Sequence, residues 1–386
     1  MSQARIKNKN TDPIKILITG DFCPQNRIEK LAINSDYQSI FNDFIDVFSD
    51  NDLNIIDLEC PLTLSEFARP KSGPHQKAHP DCVKILKYAN VNLAAMANNH
   101  IMDYNGQGAS DTIELCRTCG INTVGIGKTL KDAGIPFSAN IKGKRIAIIN
   151  YADNEFLSAT DGSYQCNSID PVRCYYDIKI AKQNHDNIIV IIHAGNEFYE
   201  LPSPRTKKLY RYIIDLGADA VISHHTHAFS GYEIYKSSPV FYGLGNFIYD
   251  IPGKTYSSWN VGYVVKLIIS DKTDFEIIPL KQCNETPGVF HLSSGEKAEF
   301  QRKLDQLNLI IEDDQELENQ FQKYCESIFP MYDAFIEPFF GIYITALRKR
   351  GFFPKLMSKR KRRLLLNLIR CESHREVLMR MLKLNE

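Results

Sequence analysis

Short apolar runs alternate with amphipathic stretches along the chain between residues 14 and 269. Such runs are typical of buried β-strands, whereas apolar residues spaced three and four apart are typical of helices. The runs predict strands over 14–20, 53–58, 91–97, 121–127, 144–152, 187–193, 218–225, 239–247 and 261–269. The helical spacing predicts helices over 37–49, 81–89, 108–120 and 204–217. Repeated strand–helix units predict an α/β fold in which helices cover buried sheets.

The pattern changes after residue 282, where the sequence becomes charged and helix-periodic. We therefore predict one domain over 14–282 and a helical C-terminal region over 283–386 that has no catalytic pattern of its own. Within that region, the stretch 347–370 is strongly basic with apolar residues between the charges. This pattern favours an ordinary helix with one solvated face, and the alternative is peripheral contact with anionic lipid.

Composition and charge exclude several classes of protein. The chain has 46 Lys and Arg against 46 Asp and Glu, so no overall field favours nucleic acid as a partner. No apolar segment has the length of a signal peptide core or a membrane-spanning helix, which predicts a cytoplasmic location. The ten cysteines are scattered, which is typical of reduced, buried thiols. Cys116 and Cys119 form a C-x-x-C without a second pair, so they do not predict a zinc site.

Polar side chains with oxygen or nitrogen donors follow the ends of six predicted strands. The donors are Asp21, Asp57, Glu59, Asn99, His100, Asp103, His193, Glu197, His224, His225, His227 and Asn246. One such residue alone is more often a helix cap or a hydrogen-bonded structural residue. Carboxylate, amide and imidazole together suit a divalent ion such as Mn, Fe or Zn. The repetition at six strand ends therefore predicts a metal site at one edge of the fold.

Three of the donors fall within the segment "ISHHTH", residues 222–227. Residues two apart in an extended backbone point to the same side, so His225 and His227 are predicted to be metal ligands. His224 then points to the other side, where it either supports the site or contacts substrate. The alternative is a buried, hydrogen-bonded histidine cluster without a metal.

Several segments together resemble the bacterial capsule-synthesis family, the CapA-like or poly-γ-glutamate capsule proteins. They are "ITGDFCP", "IIDLECPLT", "MANNHIMDYNGQG", "TVGIGKTLKDA" and the stretch from "IIHAGNEFYE" to "GLGNFIYD". The resemblance covers about residues 14–270. That family is similar to the calcineurin-like metallophosphoesterases, which implies a four-layer α-β-β-α sandwich with a metal site at the strand ends.

The resemblance also implies roles for individual residues. The implied metal ligands are Asp21, Asp57 or Glu59 as the bridging carboxylate, Asn99, His193, His225 and His227. His100 would face the leaving group, and Asp103 would orient it. Glu197 would either orient His193 or act as a base, while His224 and Asn246 would contact substrate or support the ligands. Cys23 stands where the phosphoesterase pattern has histidine.

The residues and the resemblance together predict a metal-dependent hydrolase that uses one or two divalent ions. Its substrate would be an anionic polymer or a phosphoester, cleaved at a phosphoester or an amide bond, in the synthesis of capsule, exopolysaccharide or poly-γ-glutamate. The alternative is a non-catalytic binding or assembly component of a capsule-synthesis system, which the cysteine at position 23 favours. A nucleic-acid phosphoesterase that uses the basic C-terminal stretch is a weaker alternative.

Overall fold

The computed structural model describes residues 12–336, 341–352, 356–370 and 374. The chain divides into two compact units, Met1–Glu318 and Asn319–Glu386. The strands of the first unit are β1 (Ile14–Cys23), β2 (Leu53–Leu58), β3 (Leu93–Ala95), β4 (Asn122–Val124), β5 (Ile126–Gly127), β6 (Phe137–Ile141), β7 (Lys144–Ala152), β8 (Gln165–Cys166), β9 (Asn187–His193), β10 (Ala220–His224), β11 (Tyr232–Tyr235), β12 (Ser238–Phe241), β13 (Asn246–Tyr249), β14 (Val261–Ile269), β15 (Thr273–Gln282) and β16 (Val289–His291).

The α-helices are α1 (Arg27–Ile33), α2 (Tyr37–Phe41), α3 (Val83–Tyr88), α4 (Asn105–Thr118), α5 (Leu130–Ala133), α6 (Pro171–Asn184), α7 (Pro204–Leu216), α8 (Ser294–Glu312), α9 (Asp314–Ile336), α10 (Ile342–Lys349) and α11 (Lys359–Arg370). Short 3-10 helices cover Asn42–Phe48, Pro80–Cys82 and Ser258–Asn260.

The strands form two large sheets with parallel centres. The first has the order β16-β15-β14-β1-β2-β3-β4, and β13 also pairs with β1. The second has the order β11-β12-β10-β9-β7-β6. Strands β1 to β4 are parallel, as are β7, β9, β10 and β12. The carboxyl ends of parallel neighbours therefore lie at a common edge of each sheet.

Alternating side chains of the first sheet enter two different cores. Ile16, Ile18 and Ile55 pack against the second sheet, whereas Leu17 and Ile56 pack under α1 to α4. The core between the sheets continues through the second sheet to the buried residues of α6 and α7. The layers are thus helices, sheet, sheet and helices, which confirms the predicted four-layer sandwich.

Most predicted strands lie where the apolar runs place them, but two predicted elements are each divided. The predicted strand 121–127 is split at Gly125 into β4 and β5, and 239–247 is split before Gly245 into β12 and β13. Both glycines have positive φ, 87° and 72°, which lets the chain turn there at little steric cost. β4 consequently joins the first sheet while β5 pairs with β8 outside both large sheets. Likewise, β12 joins the second sheet and β13 the first.

The predicted helix 37–49 is also wrong in part, because α2 ends at Phe41 and a 3-10 helix follows. Asn42 has a φ of 49°, which breaks the α-helical path, and its side chain bonds to the carbonyl of Ser39. Apolar spacing cannot distinguish these two helix types over such a short stretch.

The helical region predicted from residue 283 is divided between the two units. Phe300, Leu304 and Ile311 of α8 belong to the core between the sheets, so this helix is part of the first unit, which runs to Glu318. The helices α10 and α11 belong to the second unit. Within the described ranges, no helix combines the length and apolar content needed to cross a bilayer.

Candidate metal centre

The carboxyl ends of both sheets bring the predicted donors together. Asp21 on β1 lies opposite Asp57 on β2 and Asn246 on β13. His193 at the end of β9 lies opposite His224 at the end of β10. Gly20 permits the approach of β13, because a Cβ at this position would lie 2.0 Å from the carbonyl oxygen of Gly245.

Eleven of the twelve predicted site residues are buried, and all eleven are at most 6% exposed. They are Asp21, Asp57, Glu59, Asn99, His100, Asp103, His193, His224, His225, His227 and Asn246. Ionisable and amide side chains at this depth need partners, so the contacts of each one are informative.

Glu59 lies at the centre of the cluster without a hydrogen-bond partner. Neither of its carboxylate oxygens, nor Oδ1 of Asp57, is hydrogen-bonded within the part of the chain that the structure describes. The nearest basic atoms to Glu59 Oε1 are His227 Nε2 at 3.5 Å and His193 Nε2 at 3.6 Å. An unpartnered buried carboxylate is costly, so this position fits a bound cation.

His193 presents one ring nitrogen to the cluster. Its Nδ1 lies 2.9 Å from Asp57 Oδ2, so when a bound cation keeps Asp57 ionised, that carboxylate only accepts and the proton of His193 lies on Nδ1. Nε2 lies 3.1 Å from Asn99 Oδ1 and 3.1 Å from His225 Nδ1. This spacing is close to that of two nitrogen ligands on one tetrahedral zinc ion, about 3.3 Å for zinc–nitrogen bonds of ~2.05 Å.

His227 is held in a matching way on the other side of Glu59. Its Nδ1 lies 3.0 Å from Asn246 Oδ1 and 3.1 Å from Asp21 Oδ2. The amide nitrogen of Asn246 donates to the carbonyls of His227 and Trp259, which fixes its oxygen as the acceptor. Nδ1 of His227 is therefore the donor, and Nε2 is left facing Glu59.

Three groups of side chains offer ligand atoms within 4.8 Å of one another: Glu59, His193 and His225; Asp21, Asp57 and His193; Asp21, Glu59 and His227. Because the groups share members, the donors form one continuous cluster. Carboxylate, imidazole and amide donors fit a divalent ion of the borderline type.

The backbone at His225 and His227 is not extended, so the extended strand predicted to place both side chains on one face is wrong. β10 ends at His224, and His225 and His227 have φ values of 88° and 55°. Positive φ is strained for these residues and is common at functional sites. The backbone N–H of His225 lies 3.3 Å from both carboxylate oxygens of Asp21, which helps to hold this turn.

His224 is buried at the end of β10 and contacts the first sheet. Its Nε2 lies 2.7 Å from the carbonyl oxygen of Thr19 on β1, so it links the ends of the two sheets. The geometry therefore favours support of the site over contact with substrate for this side chain.

His100 belongs to a second hydrogen-bonded group next to the cluster. Asp103 Oδ2 lies 2.7 Å from His100 Nδ1 and accepts from the backbone of Gln76. Lys71, whose side chain is 1% exposed, pairs with Asp103 Oδ1 and lies 3.2 Å from His100 Nδ1. Lys71 was not predicted, because the loop that carries it has no periodic pattern.

Glu197 lies outside the buried cluster, on an exposed part of the loop after β9. The carboxylate that orients His193 is Asp57, so the structure assigns to another residue the orienting role considered for Glu197. Glu197 is close enough to raise the pKa of Glu59, although burial is the larger cause.

Burial sets most of the proton affinities in the cluster. Burial and the charges of Asp21 and Asp57 hold the pKa of Glu59 well above its usual value. Burial also raises the pKa of Asp57, to about 8, and lowers the pKa of His193 and His225 well below the usual value. A metal-free cluster thus retains protons on carboxylates that a divalent cation would displace.

Asp21 and His227 shift in the opposite direction. Burial alone would raise the pKa of Asp21. The hydrogen bond and the attraction to His227 outweigh burial, so the pKa lies below the usual value. Burial lowers the pKa of His227, and the same contact with Asp21 outweighs that effect and raises it. The pair is therefore an ion pair when no cation is bound.

Cys23 lies at the position where the phosphoesterase pattern has histidine. Its side chain is fully buried, and its sulfur accepts a hydrogen bond from Gln25 at 2.7 Å. Burial raises the pKa of the neighbouring Cys60 thiol well above its usual value, and the proximity of Cys23 adds to this shift. In the described ranges the cysteines are free thiols, as predicted.

The chain matches known proteins over the region that contains this centre. A family model described as "Bacterial capsule synthesis protein PGA_cap" matches residues 15–251. The capsule biosynthesis protein CapA of Bacillus anthracis is 27% identical over 256 residues, 64% of this chain and 62% of that protein, which is less than two thirds of its length. The PGA biosynthesis protein CapA of Bacillus subtilis (strain 168) is 29% identical over 288 residues, 73% of this chain and 75% of that protein.

Among solved structures, the chain is similar to the calcineurin-like phosphoesterase YfkN from Bacillus subtilis. The two are 14% identical with a TM-score of 0.40, and the match covers 77% of this chain and 99% of that chain. The family model spans more than half of the 386 residues, including the strand ends described above. The chain therefore belongs to the bacterial capsule synthesis protein family.

Proposed function

We propose that this protein is a metal-dependent hydrolase that cleaves a phosphoester or an amide bond in an anionic polymer or its precursor during capsule, exopolysaccharide or poly-γ-glutamate synthesis. One observation carries the proposal: Glu59 is fully buried between two imidazoles, and both of its oxygens lack a partner. Family membership supplies the link to capsule synthesis.

One ion, either Mn, Fe or Zn, would be held by Glu59, His193 and His225, with Asn99 beside them. These side chains offer facing donor atoms on one side of the cluster. Asp57 would orient His193 from behind through Nδ1, as carboxylates commonly do for ligating histidines.

A second ion would be held by Asp21, Glu59 and His227. Glu59 is common to both groups, which supports a bridging role for it rather than for Asp57. Asn246 would orient His227 through Nδ1, so that Nε2 stays directed at the ion.

Divalent ions bound at such a site polarise a phosphoryl or carbonyl oxygen and make a water molecule more acidic. His100 would exchange a proton with the substrate at Nε2, because Asp103 occupies Nδ1. Asp103 and Lys71 would fix the orientation of this ring. Burial of the cluster would exclude bulk water around the reacting atoms.

A second candidate function is a non-catalytic binding component of a capsule assembly system. Cys23 favours it, because a cysteine stands where the phosphoesterase pattern has histidine and its sulfur already accepts a hydrogen bond from Gln25. Such a component would bind polymer without cleaving it, with or without a metal ion.

Peripheral contact with an anionic membrane is a further proposal about partners. The helix α11 begins with the basic residues 359–363, and Leu364, Leu366 and Ile369 are half exposed on the same helix. Basic and apolar residues on one short helix suit a surface of anionic lipid.

The test is metal content, measured by mass spectrometry on protein purified without a histidine tag or chelator. The wild type is expected to hold one to two equivalents of Mn, Fe or Zn, and His225→Ala/His227→Ala to lose them. His185→Ala/His291→Ala, the same change at two histidines outside the centre, is the matched control.

Hydrolysis of a phosphodiester and of a γ-linked glutamate peptide by the metal-loaded protein distinguishes the two bonds. Loss of cleavage in the cluster variant, with retention in the control, would support the hydrolase. Metal binding without cleavage of any substrate in a broad screen would favour the assembly component. Wild-type protein that takes up none of these metals would exclude the hydrolase and leave a metal-free binding component.

A further inference from the structure

An aromatic wall closes one side of the cluster at His227. The ring of Trp259 lies 4.8 Å from the ring of His227, and the ring of Tyr249 lies 4.9 Å from Trp259. Trp259 is 3% exposed, and its Nε1 donates to the carbonyl of Tyr249 at 2.8 Å. The ring of Phe198 lies 6.0 Å from Trp259 and 6.2 Å from His227, which extends the wall toward solvent.

Lys254 lies over this wall. Its Nζ is 4.7 Å from the ring centre of Phe198 and 5.3 Å from that of Trp259. The backbone beneath it is fixed, because Asn260 donates to the carbonyl of Lys254 at 3.0 Å and Lys254 N–H donates to Ile251. Among the described residues, no carboxylate forms an ion pair with Lys254. The aromatic faces thus hold a half-buried positive charge beside the metal ligands.

Phe198 is an exposed aromatic residue with an unfavourable backbone conformation, and packing in the core does not account for either feature. It is 52% exposed and has a φ of 62°, which is unfavourable for a bulky side chain. Its backbone N–H donates to the carbonyl of Thr226 at 2.8 Å, which ties it to the turn between His225 and His227. A strained, exposed aromatic residue tied to the ligand turn is typical of a ligand-contacting position.

We propose that Lys254, supported by Phe198 and Trp259, binds a carboxylate that the substrate carries next to the bond to be cleaved. The proposal rests on the proposed function and adds to it a residue that selects substrates with a free carboxylate beside that bond. Glu197, next to Phe198, is the acidic residue on the same rim and forms no ion pair with Lys254 in the described part of the chain. The ammonium group is therefore available to an anion from solution.

The chain has one tryptophan, so its fluorescence reports directly on this site. Protein loaded with Mn²⁺ would be titrated with a γ-linked triglutamate and with its uncharged α-carboxamide counterpart. Wild type is expected to bind the carboxylate form about tenfold more tightly, as a charge-assisted contact allows. Lys254→Met is expected to reduce this ratio to near one, whereas Lys254→Arg retains most of it.

Titration of metal-free protein with Mn²⁺ alone, followed by the same fluorescence, distinguishes failure of the Lys254 inference from failure of the metal centre. Equal Mn²⁺ affinity of wild type and Lys254→Met is expected, since Lys254 is not a ligand. If Lys254→Met keeps the preference for the carboxylate form, or if Mn²⁺-loaded wild type has none, the inference is wrong and the metal centre stands. If wild type does not bind Mn²⁺, Zn²⁺ or Fe²⁺, the proposed function fails together with it.

Discussion

The substitution Glu59→Gln tests whether Glu59 binds metal or only supports the fold. In metal-free protein the side chain is fully buried and neither oxygen has a partner, so folding forces Glu59 to keep a proton that the unfolded chain releases at neutral pH. Glutamine cannot ionise and avoids that cost, so the substitution should stabilise the metal-free fold. With excess metal the same change removes a central ligand and should abolish metal-dependent stabilisation. The order of stability of wild type and variant is therefore expected to reverse when metal is added.

The expected change in free energy of unfolding follows from the burial of Glu59. Keeping that proton costs about 1.4 kcal/mol for each pH unit above the usual 4.5, so one to two pH units above it the metal-free variant should gain about 1–3 kcal/mol in free energy of unfolding. For a unit of this size the gain corresponds to a rise in Tm of about 2–5 °C. Metal at a hundredfold excess over its Kd should add about 2.7 kcal/mol to wild type and almost nothing to the variant.

The stability of the metal-free protein is expected to depend on pH through Glu59. Burial raises the pKa of Glu59 above the usual 4.5, so the folded protein retains a proton that the unfolded chain loses as pH rises past that value. The Glu59 contribution to metal-free stability therefore falls with increasing pH, and the advantage of Glu59→Gln should grow from pH 5 to pH 8.

Thermal unfolding followed by tryptophan fluorescence, in chelator and in excess MnCl₂, measures these differences. Glu197→Gln is the matched control, because this exposed residue should change stability by less than about 0.5 kcal/mol in either condition. A metal-free Glu59→Gln protein that is less stable than wild type, or one that keeps the full Tm shift with Mn²⁺, would exclude Glu59 as a metal ligand.

Three further predictions concern contacts outside the ligand set. Lys71→Met should cost about 3–5 kcal/mol in urea unfolding because it leaves the buried carboxylate of Asp103 without its cation, and Lys71→Arg should cost less. Glu296, which caps α8 and pairs with Lys281, has its pKa lowered to about 2 by these contacts, so Glu296→Gln should cost about 1 kcal/mol at pH 7 after allowance for solvent screening. That cost should shrink as pH falls from about 4.5 toward 2, and a constant cost would contradict the assignment. The protein should sediment with anionic but not zwitterionic vesicles, and glutamates at 359–363 should abolish this binding; unchanged sedimentation would exclude α11 as the contact.

The apolar pattern was sufficient to locate the strands and their carboxyl ends. β2, β7, β9 and β14 begin and end where the runs predict. A run of this kind is buried on both faces in a parallel sheet, so the signal is local and strong. Polar residues at or directly after the ends of the runs include Asp21, Glu59 and His193, and the structure brings these side chains into one cluster.

The pattern was insufficient where the backbone departs from regular geometry. His225 and His227 share the cluster because of left-handed turns, and not because of an extended strand. Such a turn depends on contacts such as the one from His225 N–H to Asp21, which lies 204 positions away. Local sequence patterns carry no information about these contacts.

Strand position follows from hydrophobic burial along the chain, so the sequence alone indicates which side chains stand at strand ends. Which of these side chains meet depends on tertiary packing. Asp57 orients His193 from 136 positions away, and Lys71 and Lys254 reach the site from loops without periodicity. These pairings depend on how two sheets pack face to face, which is a property of the whole core and not of any one segment.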